Sequence, residues 1–560
     1  MKIVIIGGVA GGASAAARLR RLDEGAEIIM FEKGEYISYA NCGLPYYIGG
    51  TINKKSALTL QTPESFNARF NVDVRVKSEV ISIDTAKKAV SVKNHDTVQI
   101  YSETYDKIIL SPGASPVMLP IPGADNERVF TLRTVPDAFK IREFIEAAAP
   151  KSALVVGGGY IGVEMAENLV DAGLDVSIAE LAPNIINRMD PDIACEAHAY
   201  AEAKGIKLFL NSSLSGIKQI GDALEATVGC HTLKVDMVLM SVGVRPDTAL
   251  AINAGLKADR RGAIIVNQFM QSSDPDIYAV GDAVSVTDFI TGQPAFVPLA
   301  GPANRQGRIA ADNICGIKSS YKGTQGSAIL KLFDMTVAST GINESTAKAA
   351  GYDYDKVFIY SGSHAGYYPG ATNMSIKVIF NKEDGKLLGA QIAGFDGVDK
   401  RIDVLATAIR NGLTASDLTE LELVYAPPFS SAKDPVNMVG FVIENTVSGL
   451  VSNFHWHDVD DLPRDGSVSL IDVRTEREYS RGNIAGFVNM PLDSLRQHIK
   501  YIDKSKPAYV NCFSGARSYL ACRILTANGI ECKNLSGGIR LYQAMKSLPE
   551  PIPPCRDQNK

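Results

Sequence analysis

The sequence predicts an α/β protein of several domains, and three observations predict it. Residues 2–32 and 153–180 each repeat one order: apolar strand, glycine-rich turn, helix, strand, terminal acid. Residues 508–525 again run a strand into a loop and a helix, with a cysteine opening the loop. The chain has 560 residues, enough for about three to four domains of ordinary size.

In the first repeat, KIVII (2–6) is a β-branched run suited to a buried parallel strand. The turn GGVAGG (7–12) and an alanine-rich helical segment follow, so backbone N–H groups at a helix N-terminus can meet a pyrophosphate. The next strand ends in Glu32, the acid expected on a ribose hydroxyl. Val9 stands where the middle glycine of G-x-G-x-x-G belongs. The second repeat is complete: ALVV, then GGGYIG with Gly157, Gly159 and Gly162, then a helix, then DVSIAE ending in Glu180. An acid there favours the free 2′-hydroxyl of NAD, and no arginine follows to meet a 2′-phosphate. YDKIILSPGASP (105–116) and VDMVLMSVGVRPD (235–247) run apolar strands into small-residue turns. DIYAVGDA places Asp282 just past a strand, with Gly281 permitting close backbone approach.

Composition excludes several classes. A net charge of −5 leaves no basic surface for nucleic acid and no polybasic membrane tail. The first 21 residues have the outline of a secretory signal, but the glycine spacing and the charged segment after it favour strand–turn–helix. No stretch approaches the ~20 apolar residues of a membrane helix. Eight cysteines without regular spacing fit a reducing compartment. The expectation is a soluble, cytoplasmic protein.

The order of these motifs resembles the flavoprotein disulfide reductases that bind two dinucleotides, over residues 1 to about 445. The resemblance implies two Rossmann-like domains, for FAD (1–112 and 248–325) and NADH (113–247), and an α+β dimerisation domain (326–445). It implies cofactor contacts from Gly7, Gly8, Ala10, Gly11, Gly12, Glu32, Lys33, Asn41, Val80, Ser111, Pro112, Gly113, Arg133, Gly157, Gly159, Tyr160, Ile161, Gly162, Glu180, Gly243, Gly281, Asp282, Pro298, Leu299 and Ala300. Asp282 would take the ribityl chain.

SYANCGLPYYIGG (38–50) holds one cysteine, Cys42, and the next in the chain is Cys195. Dithiol members of the family carry a second cysteine shortly after the first; its absence resembles the branch of coenzyme A-disulfide reductases, NADH oxidases and NADH peroxidases. A single cysteine draws its oxidised partner from outside: a small thiol or persulfide, or oxygen giving a sulfenic acid. Ala10 stands where oxidases and peroxidases place a histidine, which disfavours peroxide chemistry. A helical turn starting at Cys42 would favour its thiolate. HAGYYPGA (364–371) and VYAPPFSSAKDPVN (424–437) resemble dimer-domain loops that reach the other subunit, which implies a homodimer. Tyr367 and Tyr425 would flank the sulfur there, with Lys433 near the ligand. Arg18, Arg21, Ser38, Asn304 and Arg308 are the other candidate contacts for coenzyme A.

After an expected linker (446–457), residues 458–560 resemble a rhodanese domain. Cys512 opens a loop that would curl backbone N–H groups round an anion, and Arg517 and Ser518 begin the helix beyond it. The Cys-x4-Arg spacing is the tight loop associated with sulfur transfer, whereas the related phosphatase loop is Cys-x5-Arg. Asp472 and Arg474 match an earlier structural motif. Cys195, Cys230, Cys315, Cys522, Cys532 and Cys555 have no comparable setting and read as structural. The activity implied is NADH-dependent, FAD-mediated reduction of coenzyme A persulfide, polysulfide or disulfide through Cys42, with Cys512 handling sulfane sulfur. The competing readings are coenzyme A-disulfide reduction for thiol homeostasis, an NADH oxidase, and a redox-sensing protein that captures a partner.

Overall fold

The structure, a computed structural model, describes residues 1–547. The chain divides into two compact units: residues 1–181 with 205–326, and residues 182–204 with 327–547.

Beside smaller sheets of two or three strands, the first unit contains two five-stranded parallel sheets of one plan. In one, Lys2–Ile6 lies between Glu27–Phe31 and Lys107–Leu110, with Asp73–Arg75 and Ile277–Ala279 at the edges. In the other, Ser152–Val156 lies between Asp175–Ala179 and Met237–Met240, with Lys207–Phe209 and Val129–Thr131 at the edges. Both central strands are nearly uninterrupted apolar runs because they are buried on both faces; Ile3, Val4, Ile5, Leu154 and Val155 show no exposed surface. Each central strand runs at its C-terminal end into a glycine turn and a helix, Ala10–Leu22 or Tyr160–Asp171. Parallel sheets of this kind bind ligands beyond those strand ends. The helix Ala300–Ile314 crosses the helix Ala10–Leu22 so closely that a Cβ on Gly307 would fall 2.3 Å from the Gly11 carbonyl oxygen.

The second unit has an antiparallel sheet in the order Ala328–Leu332, Met335–Gly341, Leu387–Gly394, Asn373–Asn381, Tyr354–Gly362. Lys377 is wholly buried there. Its ammonium contacts Asp192 at 2.7 Å and Asp190 at 3.0 Å, and also Glu344. A buried cation is tolerable only with such partners. A parallel sheet follows, in the order Ser452–Phe454, Cys532–Leu535, Ala508–Asn511, Ser469–Asp472, Val488–Asn489. Residues 446–457, expected as a linker, are therefore ordered into the fold: Ser452–Phe454 pairs in parallel with Cys532–Leu535 and forms that sheet's edge. The two sheets of this unit are joined by the Phe358 N–H donating to Ser536 Oγ and by Arg540 stacked over Tyr360. Among the described residues, no helix is long and apolar enough to cross a membrane.

Candidate active sites

The two glycine turns of the first unit are near copies. Gly7 and Gly157 have φ of +99° and +100°, a region open to glycine and strained for other residues. A Cβ on Gly12 would meet the Gly7 carbonyl oxygen at 1.9 Å, and one on Gly162 would meet that of Gly157 at 1.9 Å. The acids close the turns in the same way: Glu32 accepts from Gly8 N–H at 3.0 Å, and Glu180 from Gly158 N–H at 2.6 Å. Val9 does not break the pattern, since its φ is −99° and the equivalent Gly159 has φ −71° and open space around its Cβ position. Both turns thus have the tight backbone and the terminal acid that a dinucleotide needs.

Around the first turn, Ser111 lies against Gly7 and Gly11, and Arg133 donates to Asp282 at 3.0 Å and lies beside Gly113. Asp282 sits in the short turn Gly281–Ala283 at the end of Ile277–Ala279. Leu299 and Ala300 begin the helix Ala300–Ile314 just after Pro298. Lys33 is exposed and paired with Asp247. Val80 is buried in the hydrophobic core, on a strand where it pairs with Val92.

Cys42 lies in the short turn Asn41–Gly43, which leads into the helix Leu44–Ile48. It is a free thiol at the surface. Its sulfur is nevertheless poorly hydrated: partial burial raises its pKa first, Glu164 and Asp282 raise it further, and only Arg133 opposes them. The helical turn expected at Cys42 is present, as Asn41–Gly43 running into Leu44–Ile48, while burial and the two acids push the thiol up. The helix is five residues long, and acids outnumber cations at the sulfur. Glu164, on the helix Tyr160–Asp171, is itself pushed up to about 7 by burial and by Glu167. Tyr46 shares this environment and is pushed up to about 12 by burial and then by Glu164. Sequence reasoning passed over Glu164; its signal is an acid in the first turns of a helix whose neighbours are buried.

Arg18, Arg21, Asn304 and Arg308 lie on the two crossed helices. Arg18 is tied to Asp312 at 2.7 Å and Asn304 accepts from Ser14, while Arg21 and Arg308 are exposed. Ser38 holds a left-handed φ of +44° and donates its N–H to the Gly8 carbonyl, which links the Cys42 loop to the first glycine turn. In the second unit, the Tyr367 and Tyr425 hydroxyls meet at 2.8 Å although the rings are 75% and 47% exposed, and Lys433 is exposed nearby in sequence.

Cys512 directly follows the strand Ala508–Asn511 and has no exposed surface. Its sulfur accepts from Gly515 N–H at 3.1 Å and from Ser518 Oγ at 3.2 Å. Gly515 has φ +96°, which turns the loop back on the sulfur before the helix Ala516–Ala527 begins. Asp472 and Arg474 form a buried pair through both carboxylate oxygens, and Asn511 donates to Asp472. Arg517 lies in the first turn of the helix Ala516–Ala527, as the sequence suggests. It is closed on Glu478 by two hydrogen bonds. Glu478 was missed because it reads as the capping partner of Thr475, three residues earlier, a role it also fills. Of the other cysteines, Cys195, Cys522 and Cys532 are buried and Cys315 is half-buried. Cys555 lies outside the described residues.

With this geometry established, comparisons with known proteins point one way. The sequence profile of the pyridine nucleotide-disulphide oxidoreductases matches residues 1–303, that of their dimerisation domain residues 327–435, and the rhodanese-like domain residues 455–545. A coenzyme A disulfide reductase of Staphylococcus haemolyticus is 39% identical over 441 residues, 79% of this chain and 98% of that protein. The reduced CoADR-RHD of Bacillus anthracis superposes with a TM-score of 0.95 at 48% identity, covering 97% of this chain and 98% of that one. A NAD-dependent persulfide reductase from A. fulgidus gives 0.90 at 35% identity, covering 97% and 100%.

Proposed function

Because the chain belongs to the pyridine nucleotide-disulphide oxidoreductase family, we propose that it uses NADH and FAD to reduce coenzyme A persulfide, polysulfide and disulfide at Cys42. The observation that carries this reading is a lone free thiol beside a dinucleotide turn, on a chain that ends in a second, loop-held thiol. The proposed modules are those of the sequence: FAD-binding (1–112, 248–325), NADH-binding (113–247), dimerisation (326–445) and rhodanese (458–560). The turn at Gly7–Gly12, with Glu32, Asp282 and Arg133, would hold FAD, and the turn at Gly157–Gly162, with Glu180, would hold NADH. When bound, this pair supplies two electrons at a time.

The chain's own work is thiol chemistry. The Cys42 thiolate attacks the inner sulfur of coenzyme A persulfide and expels hydrosulfide, forming a mixed disulfide. With coenzyme A disulfide the same attack expels a thiolate. Two electrons and a proton then return Cys42 to the thiolate and release coenzyme A. Glu164, protonated below about pH 7, stands where it can hold that proton near the sulfur. Ala10 cannot move a proton, which is one reason to prefer thiol substrates over oxygen. Arg21, Arg308 and Lys433 are the exposed cations proposed for the coenzyme A phosphates. The Tyr367–Tyr425 pair is proposed to flank the reacting sulfur of the other subunit in a homodimer. Tethering the Cys512 domain raises the effective concentration of transferred sulfur.

Replacing Cys42 with Ser tests the central step. NADH-dependent reduction of both coenzyme A substrates should fall by ~10³-fold or more, with flavin content unchanged. Near-normal turnover by this variant would refute the assignment.

A further inference from the structure

The charges around Cys512 carry a statement about its sulfur donor, one that rests on reading Cys512 as a sulfur-transfer thiol. Arg517 Nη1 and Nη2 donate to the two carboxylate oxygens of Glu478 at 2.8 and 2.6 Å. That pair, with burial opposing it, holds Glu478 down at about 2, so both partners are charged at neutral pH. Arg517 follows Gly515 and directly precedes Ser518, the two residues that donate to the Cys512 sulfur. The other cation at the loop, Arg474, is locked to buried Asp472. Arg474 and Arg517 thus each already have a carboxylate counter-charge. The sulfur itself is held by neutral donors, Gly515 N–H and Ser518 Oγ.

We propose that Glu478 is a specificity-determining residue: by cancelling Arg517 it restricts Cys512 to alkyl persulfides, R–S–SH, and excludes dianionic thiosulfate. In the accepted reaction the Cys512 thiolate attacks the outer sulfur of R–S–SH. A new S–S bond forms to Cys512, the old one breaks, and R–S⁻ leaves to take a proton from water. The donor enters as R–S–SH, and a single negative charge passes from the Cys512 thiolate to the departing R–S⁻. Thiosulfate must instead bring two negative charges beside Glu478 with no free cation to meet them, and must release sulfite as a dianion. Like charges brought together without a counter-ion oppose association.

The test uses the full-length holoenzyme, reduced and freed of small thiols, then exposed to coenzyme A persulfide or to thiosulfate at equal concentration. Sulfur on Cys512 is read by peptide mass. Wild-type Cys512 should load from the persulfide about tenfold faster or more. Glu478→Gln keeps an acceptor for the Thr475 cap, yet should raise loading from thiosulfate about tenfold while changing persulfide loading by about twofold or less. Glu478→Asp, which keeps the charge, should stay close to wild type on thiosulfate. An unchanged thiosulfate rate in Glu478→Gln, or an equal gain in Glu478→Asp, overturns the role of Glu478 alone. If Cys512 takes sulfur from neither donor while Cys42-dependent NADH oxidation proceeds, the sulfur-transfer reading falls, and this inference with it.

Discussion

Cys42 and Cys512 are both single thiols at the end of a parallel-sheet architecture, but the chain treats them in opposite ways. Cys512 is wholly buried, and the protein itself supplies its two hydrogen-bond donors. Cys42 is open to solvent, and its surroundings of partial burial, Glu164 and Asp282 push the thiol up. The Cys512 sulfur thus finds both of its donors within one loop. The difference follows from the backbone: a left-handed glycine turns the Cys512 loop inward, whereas Cys42 precedes a five-residue helix too short to offer much dipole.

The sharpest break of this comparison is Cys512→Ser. Sulfur loading at that position should vanish, while NADH-dependent reduction of coenzyme A disulfide should stay within about twofold of wild type, because no step at Cys42 needs Cys512. A steady-state comparison of disulfide and polysulfide substrates checks it. An equal loss on both would mean that the two thiols act as one site.

Ser518→Ala should have the next largest effect. It removes one of the two donors to the Cys512 sulfur, and a hydrogen bond to a charged acceptor contributes about 1.5–3 kcal/mol. Sulfur loading of Cys512 from coenzyme A persulfide should slow by about tenfold, with Cys42-dependent reduction of coenzyme A disulfide unaffected. A parallel loss at both thiols would show a general loss of folding.

Much of this contrast was legible in the sequence. The two repeats of strand, glycine turn, helix and acid are local patterns, and every hydrogen bond that closes Glu32 on Gly8 or Glu180 on Gly158 joins residues within one repeat. Val9 looked like a defect only because the motif does not say which glycine is forced by strain; the structure shows that position 9 is not. Cys512 was legible for the same reason, since loop and helix are contiguous. What stayed hidden depends on distance along the chain. Glu478 lies 39 residues before Arg517, and Glu164 acts on Cys42 from the helix Tyr160–Asp171. Neither pairing leaves a periodic trace. The strand Ser452–Phe454 was hidden because three residues carry too little pattern, and its partner lies at Cys532–Leu535.

The smallest expected effect is at Glu164, and it tests whether Cys42 is held high by its neighbours. Its carboxyl titrates near 7, above the ordinary 4.5, because burial penalises the charged form. A folded-state pKa raised above the unfolded value means stability that is full below about pH 4.5 and is lost as pH rises through about 7. Glu164→Gln cannot ionise, so the variant should gain on wild type over that window, by on the order of 2 kcal/mol at the upper end. The thermal midpoint measured across it should decline less steeply than in wild type. Above pH 7 the same substitution removes a negative charge near the Cys42 sulfur, so the alkylation profile of Cys42 should move to lower pH by a few tenths of a unit. Cys512 should not respond, since its donors lie within its own loop. If the Cys42 profile stays fixed while the stability slope flattens, then Glu164 is simply buried, and the high thiol pKa at this site comes from desolvation alone.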